Sequence, residues 1–423
     1  LELGIKKGDK IATISNNRPE WNFVDMGMLQ IGAVHVPIYP TISKEETEYI
    51  IKHCDAKLLI VSDKSLYEKL KPIVDTLEII TGFYTFNEIE GANNWMEIVQ
   101  LGETNEEKYK AELPNIKASV SKDDIATLIY TSGTTGMPKG VILTHNNLVT
   151  NFIGTSIAHP LGHEHRALSF LPLCHIYERM LTYHFQYKGI SVYYAENMGK
   201  ISENLNEINP HIFSTVPRLL EKVYDKIIGK GKNLPYVKKV IFFWAVRLGN
   251  RYNVRSKHRY FYNFKLRIAR KLIFSKWLEA LGGNVYAIIS GGAALQPRLE
   301  RIFWAAGVHL AQGYGLTETS PVISVNHTSL PNIKFTTVGP VLKDVQVKIA
   351  EDGEILCKGP NVMPGYYKNE EATREAIDED GWFHTGDIGF LDDENYLTIT
   401  DRKKEIFKLS AGKYIAPQAI ENK

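Results

Sequence analysis

The eleven residues "YTSGTTGMPKG", Tyr130 to Gly140, carry three glycines, four small hydroxyl residues and one lysine. Small residues let backbone N–H groups close on an anion and lysine adds charge, so the stretch is suited to holding phosphates. A Walker loop needs a glycine before its lysine, a Ser or Thr after it, and a helix starting there. Here Pro138 precedes Lys139, Gly140 follows, and the chain runs on into "VILT", so no helix dipole backs the lysine. A kinase glycine loop fails as well, since GxGxxG, HRD and DFG are all missing. Two later stretches add chemistry. In "GYGLTET", Gly313 and Gly315 allow a flat base to lie against backbone, and Tyr314 offers a stacking surface. Thr317 supplies a hydroxyl for a phosphate, and Glu318 a hard oxygen ligand of the kind Mg²⁺ prefers. In "GWFHTGDIG", Asp387 can accept hydrogen bonds from both hydroxyls of a ribose.

These residues need elements to hold them. "KIATISNN", "AKLLIVS" and "ATLIYT" read as strands, and "RPEWNFVDMGMLQIGA" reads as a helix opening on Pro19. "ATLIYT" runs straight into the glycine loop, and "GVILTHNNLVTNF" reads as strand then helix. Later come "NVYAIIS" ending in "GGAAL", the helix "QPRLERIFWAAG", and "VHLAQGYG". Alternating βα units with loops at strand ends predict an α/β fold that binds ligands near those ends. From about Ile333 the pattern changes to closely spaced short strands, which predicts a small β-barrel.

Composition sets the outer limits. With 423 residues, 44% hydrophobic and 23% charged, the chain is expected to form two or three globular domains. Cys54, Cys174 and Cys357 are scattered without metal-ligand spacing, which fits a reducing cytosol. The apolar run "VIFFWAV" is far too short to span a bilayer, which takes about 20 residues. From Lys226 through Leu278 there is no Asp or Glu, while Lys, Arg and aromatic residues recur. Such a segment is either a solvated helical face or a surface for an anionic partner, membrane or nucleic acid. The chain opens at Leu1 inside a folded-looking segment, so a preceding stretch is expected.

"YTSGTTGMPKGVILTH" resembles the phosphate loop of the adenylate-forming superfamily of acyl-CoA synthetases, luciferases and peptide-synthetase adenylation domains. "GYGLTETSPV", "GWFHTGDIG" and "DRKKEIFKLSAGKYIAP" follow in the order that family requires, so the resemblance covers essentially the whole chain. It implies a large N-terminal domain of layered α/β subdomains plus a small β-barrel, with the C-terminal mobile domain essentially absent. The expected limits are residues 1–210 for a first α/β subdomain with the phosphate loop and 211–330 for a second, with its basic aromatic insertion at 226–278. The barrel then spans 331–400, and 401–423 holds the hinge, at Asp401, and the start of the C-terminal domain.

The resemblance also implies a reaction. A carboxylate attacks the α-phosphorus of ATP, pyrophosphate leaves, and the acyl-adenylate is attacked by a second nucleophile. Thr131, Ser132, Gly133, Thr134, Thr135, Gly136 and Lys139 would cradle the departing phosphates. Gly291, Gly292, Ala293 and Ala294 would line the adenine pocket with Gly313, Tyr314 and Gly315. Ile399 would lie near the base, and Asp387 and Arg402 would hold the ribose. Thr317 and Glu318 would serve catalysis, Glu318 through Mg²⁺, and Lys408 matches a lysine of the thioester-forming state. His175, in "SFLPLCHIYERM", would reach the acyl carboxylate.

"STVPRLLEKVYDKI" resembles the segment that gates the fatty-acyl tunnel of long-chain synthetases, with Leu219 and Leu220 where some relatives place tryptophan. The long insertion before Gly291 resembles the long-chain branch, whose substrates dissolve in membranes. The expected partners are therefore a long-chain fatty acid, coenzyme A and an anionic membrane surface; nucleic acid is not expected. Localisation would be cytoplasmic with peripheral membrane contact. Two alternatives stay open: adenylation of another carboxylic acid for a carrier-protein thiol, and a catalytically silent lipid- or nucleotide-binding relative.

Overall fold

A computed structural model describes residues 1–131, 136–256 and 260–403, and the backbone of residues 407–408 and 414–415. The first seven strands form one sheet, in the order Asn93–Asn94, Gly82–Thr85, Ala56–Val61, Lys10–Ile14, Val34–Ile38, Ile125–Thr131, Lys139–Thr144. Its central strands are buried except at the half-buried Lys10 and Lys57, as expected of parallel strands covered on both faces. The last strand is the exception. Lys139–Thr144 runs antiparallel to Ile125–Thr131, so the glycine-rich stretch joins two paired strands and Lys139 begins a strand, not a helix. A helix, His145–Thr155, starts only after that strand, where Thr144 and Asn147 form a reciprocal cap.

A second sheet has the order Val322–Val325, His309–Gly315, Ala287–Ser290, Ile212–Thr215, Arg166–Ser169, Ser191–Tyr194. Because Arg166–Ser169 pairs in parallel with Ile212–Thr215, the break between the two α/β units falls between Thr144 and Arg166. The expected boundary at 210 is thus too late by two strands: hydrogen bonding assigns both to the second sheet. The helix Ile176–Tyr187 links the two units. Its Arg179 reaches Asp25 and Thr127 of the first, while Glu178 accepts from Ser214 and the Tyr177 hydroxyl donates to the Ile289 carbonyl of the second.

Five antiparallel strands follow, in the order Gly339–Pro340, Tyr396–Arg402, Phe383–Leu391, Glu354–Lys358, Gln346–Ile349. Among the described residues no ladder joins the two edges, so the expected barrel is an open sheet. The edge beside Gly339–Pro340 instead turns toward the second sheet, through a bridge between Ser324 and Val341. That contact covers an edge which barrel closure would otherwise remove.

The basic insertion is helical: Pro217–Lys232, Tyr236–Gly249, Tyr260–Ala269, one wide turn at Arg270–Phe274, and Ser275–Ala280. Phe242, Ala245, Val246, Phe274 and Trp277 turn inward against Leu299, Ile302 and Phe303, forming one hydrophobic cluster. Leu219 and Leu220, expected at a tunnel gate, pack into this same cluster. All three cysteines are buried free thiols. No helix among the described residues is long and apolar enough to cross a membrane.

Candidate active site

The site lies where the phosphate hairpin, the end of the His309–Gly315 strand and the third sheet meet. Gly315 ends that strand against Pro321; an added Cβ would lie 1.7 Å from the Pro321 carbonyl oxygen, so no other residue fits this turn. A single turn of 3₁₀ helix at Thr317–Thr319 follows, tied down by the Leu316 N–H donating to Thr319 Oγ1 at 2.9 Å. This places Glu318 at the cavity wall. Its Oε1 accepts a hydrogen bond from the Tyr366 hydroxyl at 2.8 Å, and its backbone carbonyl accepts from the Met363 N–H at 2.8 Å.

Tyr366 is a functional residue that sequence reasoning missed. Lys139 Nζ stands 5.2 Å from the centre of its ring, so one tyrosine joins the phosphate-loop lysine to the acidic turn. The segment around it is stitched to the hairpin: the Ile142 N–H donates to the Gly365 carbonyl, and the Tyr367 N–H to the Gly140 carbonyl. Burial and the neighbouring Glu318 carboxylate raise the phenol's pKa, so Tyr366 keeps its proton and acts as a donor. The only signal in the sequence was "PGYY", a turn followed by two tyrosines.

Asp387 is buried, 3% exposed, and both carboxylate oxygens are engaged. Tyr314 OH donates to Oδ2 at 2.7 Å, and Arg402 Nε lies 3.0 Å from Oδ1. The two strands carrying Asp387 and Arg402 pair with these residues in register. Tyr314, expected only as a stacking surface, is therefore also the residue that orients Asp387. Ile399 packs with Tyr314 and Leu316 in a small cluster behind the cavity. Asp401 is buried beside them, with Oδ1 accepting from the Arg402 N–H at 2.7 Å.

His175 caps the Ile176–Tyr187 helix. Its Nδ1 accepts from the Tyr177 N–H at 3.1 Å, which puts the ring proton on Nε2. The residue keeps substantial exposed surface and lines the cavity, and desolvation lowers its pKa, so it stands there as a neutral donor. Beside it the Tyr177 ring lies against Gly291, where an added Cβ would meet it at 3.2 Å.

Several of these groups line a cavity of about 340 Å³. Thr131, His175, Gly291, Gly292, Gly313, Tyr314, Gly315, Thr317, Glu318 and Arg402 all line it, so the structure gathers expected residues from five separate stretches. Ala293 and Ala294 are exposed on the loop beyond Gly292 and do not line it. Gly136 is exposed on the hairpin, and Lys139 begins its second strand. Ser132, Gly133, Thr134 and Thr135 lie outside the described residues, as does the side chain of Lys408.

Glu318 is the only carboxylate lining the cavity, and no cluster of three metal-ligating side chains occurs among the described residues. One hard oxygen beside a phosphate site suits Mg²⁺, which is typically held by one or two carboxylates plus substrate phosphates and water. It does not suit a metal that needs an all-protein cage.

A glycine-rich stretch between two antiparallel strands, an acidic turn and a buried carboxylate held by Tyr314 and Arg402 come together around one cleft. The chain belongs to the AMP-binding enzyme family, whose sequence profile matches residues 1–367. It is 35% identical to the long-chain-fatty-acid–CoA ligase FadD15 of Mycobacterium tuberculosis over 437 aligned residues, covering 100% of this chain and 70% of that protein. It is 34% identical to the peroxisomal long chain acyl-CoA synthetase 6 of Arabidopsis thaliana, covering 99% of this chain and 61% of that protein. Among solved structures, the N-terminal domain of FACL13 from M. tuberculosis matches 95% of this chain and 88% of its own, with TM-score 0.65 and 23% identity. Apo MatB from Rhodopseudomonas palustris matches 100% of this chain and 74% of its own, with TM-score 0.71 and 20% identity. These two likenesses bear on the fold alone.

Proposed function

We infer that this chain activates a long-chain fatty acid in two steps: to acyl-AMP with release of pyrophosphate, then to acyl-CoA. Similarity to long-chain acyl-CoA ligases along the whole of this chain, which spans 70% and 61% of their length, supports the substrate class. The observation that carries the mechanism is the link from Lys139 through Tyr366 to Glu318. Cation, phenol and carboxylate are linked in series, with Glu318 on the cavity wall and Lys139 at the glycine-rich stretch, an arrangement suited to the α-phosphate near Glu318 and the β- and γ-phosphates toward Lys139. A carboxylate oxygen of the acid bonds to the α-phosphorus, and the bond to the bridging oxygen of pyrophosphate breaks. Lys139 offsets charge on the leaving group, Glu318 would hold Mg²⁺, and the His175 Nε2–H donates toward the acyl carboxylate. Bound Mg²⁺ would stabilise charge developing on the phosphate oxygens. Tyr314 and Asp387 fix the ribose, so that catalysis is mostly positioning and charge neutralisation. In the second step the thiol of coenzyme A displaces AMP from the acyl carbon.

ATP–pyrophosphate exchange with palmitate and with octanoate, followed by addition of coenzyme A, tests this reading. Palmitate-dependent exchange and palmitoyl-CoA formation are expected. Exchange without thioester formation would favour transfer to a carrier-protein thiol, and no exchange with either acid would leave a silent binding relative.

The insertion supports a peripheral membrane contact. Its outer face exposes Tyr236 (81%), Tyr260 (83%), Phe261 and Phe264 among lysines and arginines. Beside them an apolar cavity of about 470 Å³ is rimmed by Lys230, Lys238 and Lys276. Basic residues near an anionic leaflet each contribute about 1 kcal/mol, an attraction that salt screens. Sedimentation with phosphatidylglycerol vesicles should be strong at low salt and weak at high salt. Equal binding to neutral vesicles, or none to either kind, would remove this surface from the proposal.

A further inference from the structure

The active-site cavity has an apolar lining of Ala158, Met180, Leu181, Val322 and Val325, a set suited to an acyl chain. Two histidines interrupt it. His159, on the loop after the His145–Thr155 helix, and His184, on the Ile176–Tyr187 helix, stack with ring centroids 4.7 Å apart and planes 23° apart. Both are buried, 4% and 1% exposed, and both line the same cavity as Glu318 and His175.

Their tautomers follow from their partners. His159 Nδ1 accepts from the Leu161 N–H at 3.3 Å, so its proton is on Nε2, which is a donor. His184 Nδ1 lies 3.0 Å from Thr155 Oγ1, and that hydroxyl donates to the Phe152 carbonyl at 3.1 Å. With its proton so directed, Thr155 accepts from His184 Nδ1–H and leaves Nε2 as an acceptor. Neither Nε2 has a hydrogen-bond partner among the described residues. Desolvation lowers both pKa values, that of His159 to about 4, so the pair is neutral near pH 7. An unpaired donor and an unpaired acceptor on two stacked, buried rings are costly unless something completes both. A hydroxyl group does both at once.

We propose that His159 and His184 form a recognition site for a hydroxyl group carried on the acyl chain, which makes hydroxylated fatty acids a preferred substrate class of this enzyme. The substrate hydroxyl accepts from His159 Nε2–H and donates to His184 Nε2, while the surrounding Met, Leu and Val side chains hold the methylenes. This rests on the reading that the apolar part of the cavity receives the acid. A site built to bond a hydroxyl discriminates strongly against the analogue that lacks it, because its own polar groups are then left unpaired.

The test is acid-dependent ATP–pyrophosphate exchange with straight-chain acids of six to sixteen carbons, each compared with its ω-hydroxy counterpart. At one or more lengths kcat/KM should favour the hydroxy acid by at least ~10-fold. In His159→Phe and His184→Phe, which keep a flat ring but can neither donate nor accept, that ratio should fall to about 1. Parent acids preferred at every length in the unmodified protein would overturn the proposal, and so would a hydroxyl preference untouched by both substitutions. The first comparison needs no variant, so it decides even if the substitutions prevent folding. Exchange with the parent acids alone would sink this site and leave the activation of fatty acids standing.

Discussion

Glu318→Gln should form acyl-adenylate at least ~100-fold more slowly while keeping its fold. The substitution conserves shape. Glutamine Oε1 can still accept from the Tyr366 hydroxyl, and the backbone bond from the Met363 N–H does not involve the side chain. What disappears is the only carboxylate that lines the cavity among the described residues. A neutral amide holds Mg²⁺ poorly, so charge developing around the α-phosphate would go largely uncompensated. Loss of one well-placed electrostatic stabiliser typically costs 10²–10³ in rate. Pyrophosphate exchange at saturating palmitate and Mg²⁺ measures it, with circular dichroism to verify the fold. Exchange within a few-fold of the parent protein would discard Glu318 as the metal ligand.

The contrast between Glu318 and Tyr366 shows what kind of information a sequence carries. Glu318 stands in a short run whose residue types make chemical sense by themselves, and so did Asp387, Lys139 and the glycines. Tyr366 acts only because the 363–367 segment folds back onto a hairpin more than two hundred residues earlier. No local pattern encodes that return. The same holds for domain limits. Arg166–Ser169 reads as a strand wherever it is placed, and only its pairing with Ile212–Thr215 assigns it to the second sheet. Alternation and spacing revealed the α/β class and the change to short strands near 333, because those are local. Whether the five last strands close into a barrel depends on edge contacts, and the edge beside Gly339 bridges to the second sheet at Ser324. Arg179, four residues after His175 in "CHIYERM", carries no local mark of its environment. In the structure it is fully buried.

That arginine leads to the largest expected effect on stability. Asp25 sits on the helix Pro19–Gln30 with no exposed surface, and three groups converge on it. Arg179 Nη2 lies 2.5 Å from Oδ1, His35 Nδ1 2.6 Å from Oδ1, and the Tyr183 hydroxyl donates to Oδ2 at 2.5 Å. Arg179 also donates to Thr127 Oγ1 at 2.7 Å, which ties the helix bearing His175 to the first sheet. His35, neutral through burial, donates to Asp25 from Nδ1 and accepts from Thr13 at Nε2. Burial, the largest single influence, would raise the Asp25 pKa, but Arg179, His35 and Tyr183 together outweigh it and hold the carboxyl at about 2. Asp25→Ala would leave a guanidinium buried without its counter-charge, at a cost of about 3–5 kcal/mol. The midpoint of urea unfolding, followed by tryptophan fluorescence through Trp21, which packs against both His35 and Arg179, should fall accordingly. The double replacement Asp25→Leu with Arg179→Met removes both charges and should be less harmful than Asp25→Ala, since no ion is then stranded. A carboxyl held below its unfolded pKa stabilises the fold fully above about pH 4 and loses that contribution as pH falls toward 2. The gap between the unmodified protein and Asp25→Ala should therefore narrow over that window and be constant from pH 5 to 7. A single substitution costing under ~1 kcal/mol, or a double that costs more than the single, would mean that this network is not what joins the two α/β units.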